Sequence, residues 1–227
     1  MRTRNSIKAA TSVFCALALS AGAALADTKI GVASATQNQV FRNAQPLATG
    51  GGVFQNERVR TGEASMAQLL FLDQTSLSIG PKSEVKLDRF VYDPSRGKGS
   101  VVINAGLGVF RFVSGSQNSS SYQIKTPVAT IGVRGTMLDI ISTATWTAVI
   151  QIFGSSFIGT IVLSPGQALI IYANGNTEGP FIFDGVNLNV LYNALSSPLP
   201  GWWEFMDART FLLNAIDNSF TPPQQQY

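Results

Sequence analysis

The sequence predicts an all-β protein: a compact β-solenoid or sandwich-like array of short strands, accompanied by one C-terminal amphipathic helix. Three observations carry this. From Thr28 to about Asp184, short apolar or alternating runs are broken by clusters of Gly, Pro, Asn, Asp and Ser, the pattern of short strands separated by turns. No helical period of useful length occurs in that stretch. The roughly 200 residues after the leader described below, in a chain that is 45% apolar, suffice for one sizeable core.

The chain opens with MRTRNSIKAATSVFCALALSAGAALAD, where Arg2, Arg4 and Lys8 precede an uncharged Ala/Leu-rich run that ends in Ala24-Leu25-Ala26. This is the three-part pattern of a signal peptide over residues 1–26, with cleavage expected before Asp27. The run is short for a spanning helix and rich in Ala and Ser, so no stable membrane insertion is expected after cleavage. Phe14 before Cys15 argues against lipidation.

A β domain is expected over 27–195. Glu84-Val85-Lys86-Leu87-Asp88 alternates in period two, as a strand with one wet face does. Arg89-Phe90-Val91-Tyr92 then keeps two apolar residues on the formerly polar face, so either a bulge resets the register or the strand is buried on both sides. Val109 to Val113 sets two Phe on one face and Arg111 on the other, and Tyr122 to Lys125 alternates cleanly. Trp146 to Phe153 is more apolar and suits the interior. Turn signals separate these runs, among them Gly50-Gly51-Gly52, Ser164-Pro165-Gly166 and Asn174-Gly175-Asn176. The remaining segment, 196–227, opens on a Ser/Pro/Gly break. It continues as WWEFMDARTFLLNAIDN, whose apolar residues fall largely on one helical face, and ends in a tail expected to be disordered. The helix is expected to cap an open edge of the β body. Its alternative use is docking through Trp202, Trp203 and Phe205, although it lacks the Lys/Arg-rich face of interfacial helices.

Residue inventory excludes much chemistry. The chain has no histidine, and its one cysteine, Cys15, lies in the leader. Ser-His-Asp and Cys-His catalysis and His-ligated metal sites are therefore ruled out. No catalytic residue, cofactor or metal site is expected, and tandem Gly/Asp calcium repeats are absent. The chain carries 16 basic and 13 acidic residues, and three of the basic ones belong to the leader. The remainder balances at 13 of each, so nucleic-acid binding loses its support. Among carboxylates no pair stands out, which leaves a carboxylate-dependent glycan hydrolase as a third reading only.

Several phrases occur in one order: VFQNERVRTG (53–62), ASMAQLLFLDQTSLSIGPKSEV (64–85), VVINAGLGVFRFVSG (101–115), YQIKTPVATIGVRGTMLDI (122–140) and IVLSPGQALII (161–171). Together these resemble the FecR domain family, from about Ile30 to Ile171. The most specific part runs from Thr126 to Thr136 and includes Pro127, Gly132, Arg134 and Gly135. The resemblance implies a β-rich fold and a protein partner in envelope signalling. The best-known members add a membrane helix and a cytoplasmic anti-sigma segment; no room is expected here for the anti-sigma segment, so the chain resembles stand-alone exported members. Asp73-Gln74-Thr75 stands where the family tends to have Asp-Gly. A turn is still expected, with Gln74 strained at a left-handed site or with a different turn type.

The function expected from these readings is that of an exported, non-enzymatic β module, periplasmic or secreted. It would bind a protein or cell-envelope partner in sensing or signalling. The alternative is a structural or adhesion-type surface protein. Arg134, between Val133 and Gly135, is expected to hold the fold by satisfying carbonyls or a carboxylate such as Asp139 or Glu57; the competing reading places it on a partner-binding surface.

Overall fold

The computed structural model describes residues 28–93 and 98–182, and in these sixteen strands join into one sheet. They are Lys29–Gln37 (β1), Val40–Arg42 (β2), Gln45–Pro46 (β3), Gly52–Phe54 (β4), Arg58–Thr61 (β5), Met66–Phe71 (β6), Ser76–Ile79 (β7), Glu84–Asp93 (β8), Lys98–Ala105 (β9), Gly108–Val113 (β10), Tyr122–Lys125 (β11), Thr130–Ser142 (β12), Trp146–Ile158 (β13), Ile161–Leu163 (β14), Gln167–Tyr172 (β15) and Thr177–Ile182 (β16). A single 3-10 turn at Ser119–Ser121 is the one helical element among the described residues. The expected signal peptide, the expected helix with Trp202, Trp203 and Phe205 and the expected tail lie outside the described residues. Among the described residues no helix is long and apolar enough to cross a membrane.

The organising element is the β12–β13 hairpin, two strands of 13 residues each. Along its free β12 edge two arms attach end to end. One runs β11-β9-β8-β5-β2-β3 and the other β10-β7-β6-β1-β4. On the β13 edge, β14 pairs with one end and β15 with the other, and β16 pairs with β15. All neighbours are antiparallel except β9 and β11, which favours the sandwich-like side of the expectation over a parallel coil.

The two arms face each other across one core. Phe71 of β6 stacks on Phe90 of β8 with ring centroids 5.7 Å apart, and Phe112 of β10 meets the edge of Tyr122 on β11 at 5.8 Å. Leu69, Leu77, Ile79 and Phe110 from one arm join Val59, Leu87, Ile103 and Ile124 from the other, all buried. Period-two alternation supplies this: in β5 the sequence Arg58-Val59-Arg60-Thr61 is exposed, buried, exposed, buried. The arm tips meet at Arg42. Its guanidinium donates to Gly52 O at 2.6 Å, pairs with Glu57 at 3.2 Å and lies over the Phe54 ring.

β8 contains the bulge. Its register with β9 shifts between Leu87 and Arg89, so Val85, Leu87 and Phe90 all point inward. The Trp146 end of β13 is covered on both faces, since Trp146, Ala148 and Ile170 form a second apolar cluster on the side away from the main core.

Candidate functional site

The GVRGT phrase lies where β12 and β13 are forced out of register. Pairing is regular from Gly132 to Arg134, then shifts before Met137. Gly135 has φ +51° and faces Gly154, φ +71°; a Cβ on Gly154 would lie 1.8 Å from Gly135 O. Only glycine permits both the left-handed backbone and this approach of one strand to the other.

Thr136 locks the bulge. It is buried, its N–H donates to Ser114 Oγ at 2.8 Å, and its carbonyl accepts from Ser114 N at 2.9 Å. Its hydroxyl donates to Phe153 O at 2.8 Å and accepts from Gln151 Nε2. A threonine suits this place because one small hydroxyl serves as donor and acceptor while the methyl stays in the core.

The Thr126-Pro127 end of the phrase is a tight loop. Thr126 Oγ1 accepts from Ala129 N at 3.0 Å and from the buried Thr147 hydroxyl at 2.9 Å, while Thr126 N donates to Ala129 O at 2.8 Å. This ties the β11–β12 loop to β13.

Arg134 does none of this. It is exposed and has no ion pair or hydrogen bond among the described residues. The carboxylates expected to hold it are engaged elsewhere. Asp139 makes a bidentate pair with the buried Arg111, at 2.6 and 2.7 Å, and Glu57 pairs with Arg42. The holding role foreseen for the arginine falls instead to Thr136 and the two glycines. The physical reason is parity: the side chains at 131, 133 and 136 point inward, and Arg134 occupies an outward position just before the bulge.

Arg134 borders an open cleft of about 390 Å³ together with Ser119, Ser120, Gln123, Gly132 and Phe157. Gly132 forms part of its floor. Its φ is not left-handed, and an added Cβ would meet nothing closer than 3.9 Å, so neither backbone strain nor packing explains a glycine there. Phe157, which lines the cleft, and Val162 opposite it on β14 present apolar surface to solvent, as does Phe153 (67% exposed) across the bulge. Of the expected residues, Gly132 and Arg134 thus meet at the cleft, while Thr126, Pro127, Gly135 and Thr136 belong to the loop and bulge that position them.

A buried hub absent from the sequence reading holds the cleft's wall. Asp73 is fully buried in the β6–β7 turn. Its carboxylate accepts from Thr75 N and Oγ1, from Gln117 Nε2 at 2.8 Å and from Tyr122 Oη at 3.0 Å. Its carbonyl accepts from Ser116 N at 2.8 Å. These bonds anchor the chain between Ser116 and Tyr122, which carries Ser119 and Ser120. Burial pushes the Tyr122 phenol up to about 12, with the Asp73 carboxylate acting in the same direction. The Asp73 turn has Gln74 at φ +68°, so the turn expected at Asp73-Gln74-Thr75 forms with a non-glycine residue at a left-handed site. Among the described residues no group of three or more potential metal ligands occurs.

No sequence among functionally curated proteins matches the chain. Two crystal structures of a proposed anti-sigma factor from Parabacteroides distasonis are similar to it. Both are 14% identical, with TM-scores of 0.45 and 0.44, over 60% and 58% of this chain and 64% and 62% of theirs. The chain therefore spans less than two thirds of those solved chains. Residues 57–155, from Glu57 through the bulge to Ser155, match the family model described as FecR protein, so the chain is similar to a FecR domain over that stretch.

Proposed function

We propose that this protein is an exported, non-enzymatic binding module of envelope sensing or signalling, and that it engages its partner through the Arg134 cleft. The similarity to a FecR domain supports the regulatory reading, and the leader supports a periplasmic or secreted location. The residue inventory supports binding over catalysis, since neither histidine nor a cysteine beyond position 15 is available.

The observation that carries the proposal is the placement of Arg134. A rigid scaffold of two glycines and a buried threonine presents this guanidinium beside exposed aromatic surface, with no partner among the described residues. Arginine and aromatic side chains at the centre of a patch are the residues that most often carry binding energy.

The test places a photo-crosslinking amino acid at Gln123 on the cleft wall and irradiates cells. A discrete adduct is expected with wild-type Arg134, and its loss with Arg134→Ala at an unchanged melting temperature. An Arg134→Ala protein that melts markedly lower, or an adduct indifferent to the substitution, returns Arg134 to a structural role.

A further inference from the structure

The charge balance read from the whole chain hides a strong asymmetry in the fold. Cross-strand register places residues side by side on the outward face of β5, β8, β9, β11 and β12. One row runs Arg58, Lys86, Asn104, Lys125, Thr130. The next runs Arg89, Val102, Gln123, Gly132, Phe157. Arg60 and Glu84 flank the first row, and Arg134 stands one position beyond the second.

The face therefore carries six cations, Arg58, Arg60, Lys86, Arg89, Lys125 and Arg134, against two carboxylates, Glu84 and Asp88. Glu84 is held by Arg58 at 2.5 Å and Asp88 lies 3.8 Å from Lys86. Arg60, Arg89, Lys125 and Arg134 are exposed and make no ion pair among the described residues. With strands about 4.8 Å apart, Arg58 and Lys125 stand about 14 Å from each other across the sheet. That is an elongated cationic track leading to the Arg134 cleft.

We propose that this face is the docking track for an acidic polysaccharide, a chain of uronate-type sugars. Its carboxylates would lie along the cations, with one sugar seated in the cleft. The inference rests on the binding-module reading and names the class of partner. Charge complementarity selects a polyanion. The composition of the track selects among polyanions. Along the row from Arg58 through Lys86 and Asn104 to Lys125 the side chains are charged or polar, without the apolar centre that protein interfaces require. A bilayer surface would likewise need a broad apolar face beside the cations; here the apolar side chains beside the track are the exposed Val91, the buried Val102 opposite Arg89 and, at the cleft end, Phe157. At the cleft end the site suits a pyranose: the floor at Gly132 is open, Phe157 offers a flat apolar wall, and Gln123, Ser119 and Ser120 offer donors and acceptors beside the guanidinium.

The experiment measures binding of the purified protein to polygalacturonate by calorimetry at increasing NaCl. Poly-L-glutamate, neutral dextran and phosphatidylglycerol vesicles serve as comparison ligands. Binding to polygalacturonate is expected at low salt, fading as screening rises. The Arg89→Glu/Lys125→Glu variant is expected to weaken it about tenfold or more, and the milder Arg60→Gln/Lys125→Gln variant severalfold, both at unchanged melting temperature. Phe157→Ala is expected to weaken the polyuronate without altering the salt dependence. The proposal is overturned if wild type does not bind polygalacturonate, or if polyglutamate or the vesicles bind as tightly. Binding that is insensitive to both charge variants overturns it as well. If polyuronate binding fails while the Arg134-dependent adduct at Gln123 persists, this inference falls alone; if both fail, the binding-module reading falls with it.

Discussion

The two halves of the β12–β13 hairpin use the same strands and opposite electrostatic solutions. In the half from Met137 to Ser142 the outward cation is contributed by β10. Arg111 is 3% exposed and locked to Asp139 across a regular register. In the half before the bulge, Arg134 sits opposite Ser155 and faces solvent. The first half is covered from Trp146 onward by a second apolar cluster, with Phe153 exposed where it borders the bulge, whereas the second half leaves Phe157 uncovered. One half spends its charge on holding strands together; the other keeps it available. The bulge at Gly135 and Gly154 is the boundary between them.

Substitutions can break this contrast at graded cost. The largest effect is expected from Asp139→Ala, which leaves Arg111 buried without its counterion and should cost about 3 kcal/mol. For a domain of this size that is a fall of roughly 6–12 °C in melting temperature. Replacing both partners with Met and Leu should recover most of it. A calorimetric loss under about 1 kcal/mol for Asp139→Ala would show that the two halves are not different in kind.

Gly154→Ala attacks the boundary. It forces a side chain into a left-handed backbone and against Gly135 O, with an expected loss of about 2–3 kcal/mol in denaturant titration. A near-neutral result would mean that the two strands can part without disturbing the fold.

Tyr122→Phe loosens the wall of the open half. Asp73 loses one donor and Gln117 N loses its acceptor, at a cost of about 1–2 kcal/mol. Its pH signature is specific. Folding favours the neutral phenol, so the folded-state value of about 12 lies above the ordinary 10. The contribution is intact below pH 10 and is lost as pH rises through about 12. Melting temperatures measured from pH 9 to 12 should fall more steeply in wild type than in Tyr122→Phe. Parallel curves would remove Tyr122 as the cause.

Gln74→Gly relieves the left-handed turn beside Asp73 and should stabilise by about 0.5–1 kcal/mol. A loss of stability would mean that the Gln74 side chain contributes more than its strain costs. Smallest in stability is Arg134→Ala, expected within about 0.5 kcal/mol of wild type, with its effect confined to the adduct at Gln123.

The fold was legible where each strand's pattern is local. Val109 to Val113 and Tyr122 to Lys125 alternate as read, and the irregularity at Arg89 is the bulge, one of two readings left open. The candidate site was legible in its glycines, its threonines and Arg134 as a group, but not in their division of labour. Nothing near Asp73 announces a hub, because its partners Gln117 and Tyr122 are 44 and 49 residues away. The basic face was invisible for a related reason. Its six cations come from four strands and assemble only through register.

What the amino-acid order determined by itself is the all-β class, the inventory of no histidine and a single cysteine at position 15, and the phrases that resemble a FecR domain. These follow from period-two alternation, from composition and from contiguous motifs, all properties that survive without contacts. The tertiary structure alone decided which arginine is a pin and which is free. It did so because an ion pair depends on cross-strand register: Arg111 finds Asp139 opposite it, while one bulge later Arg134 finds a serine and solvent.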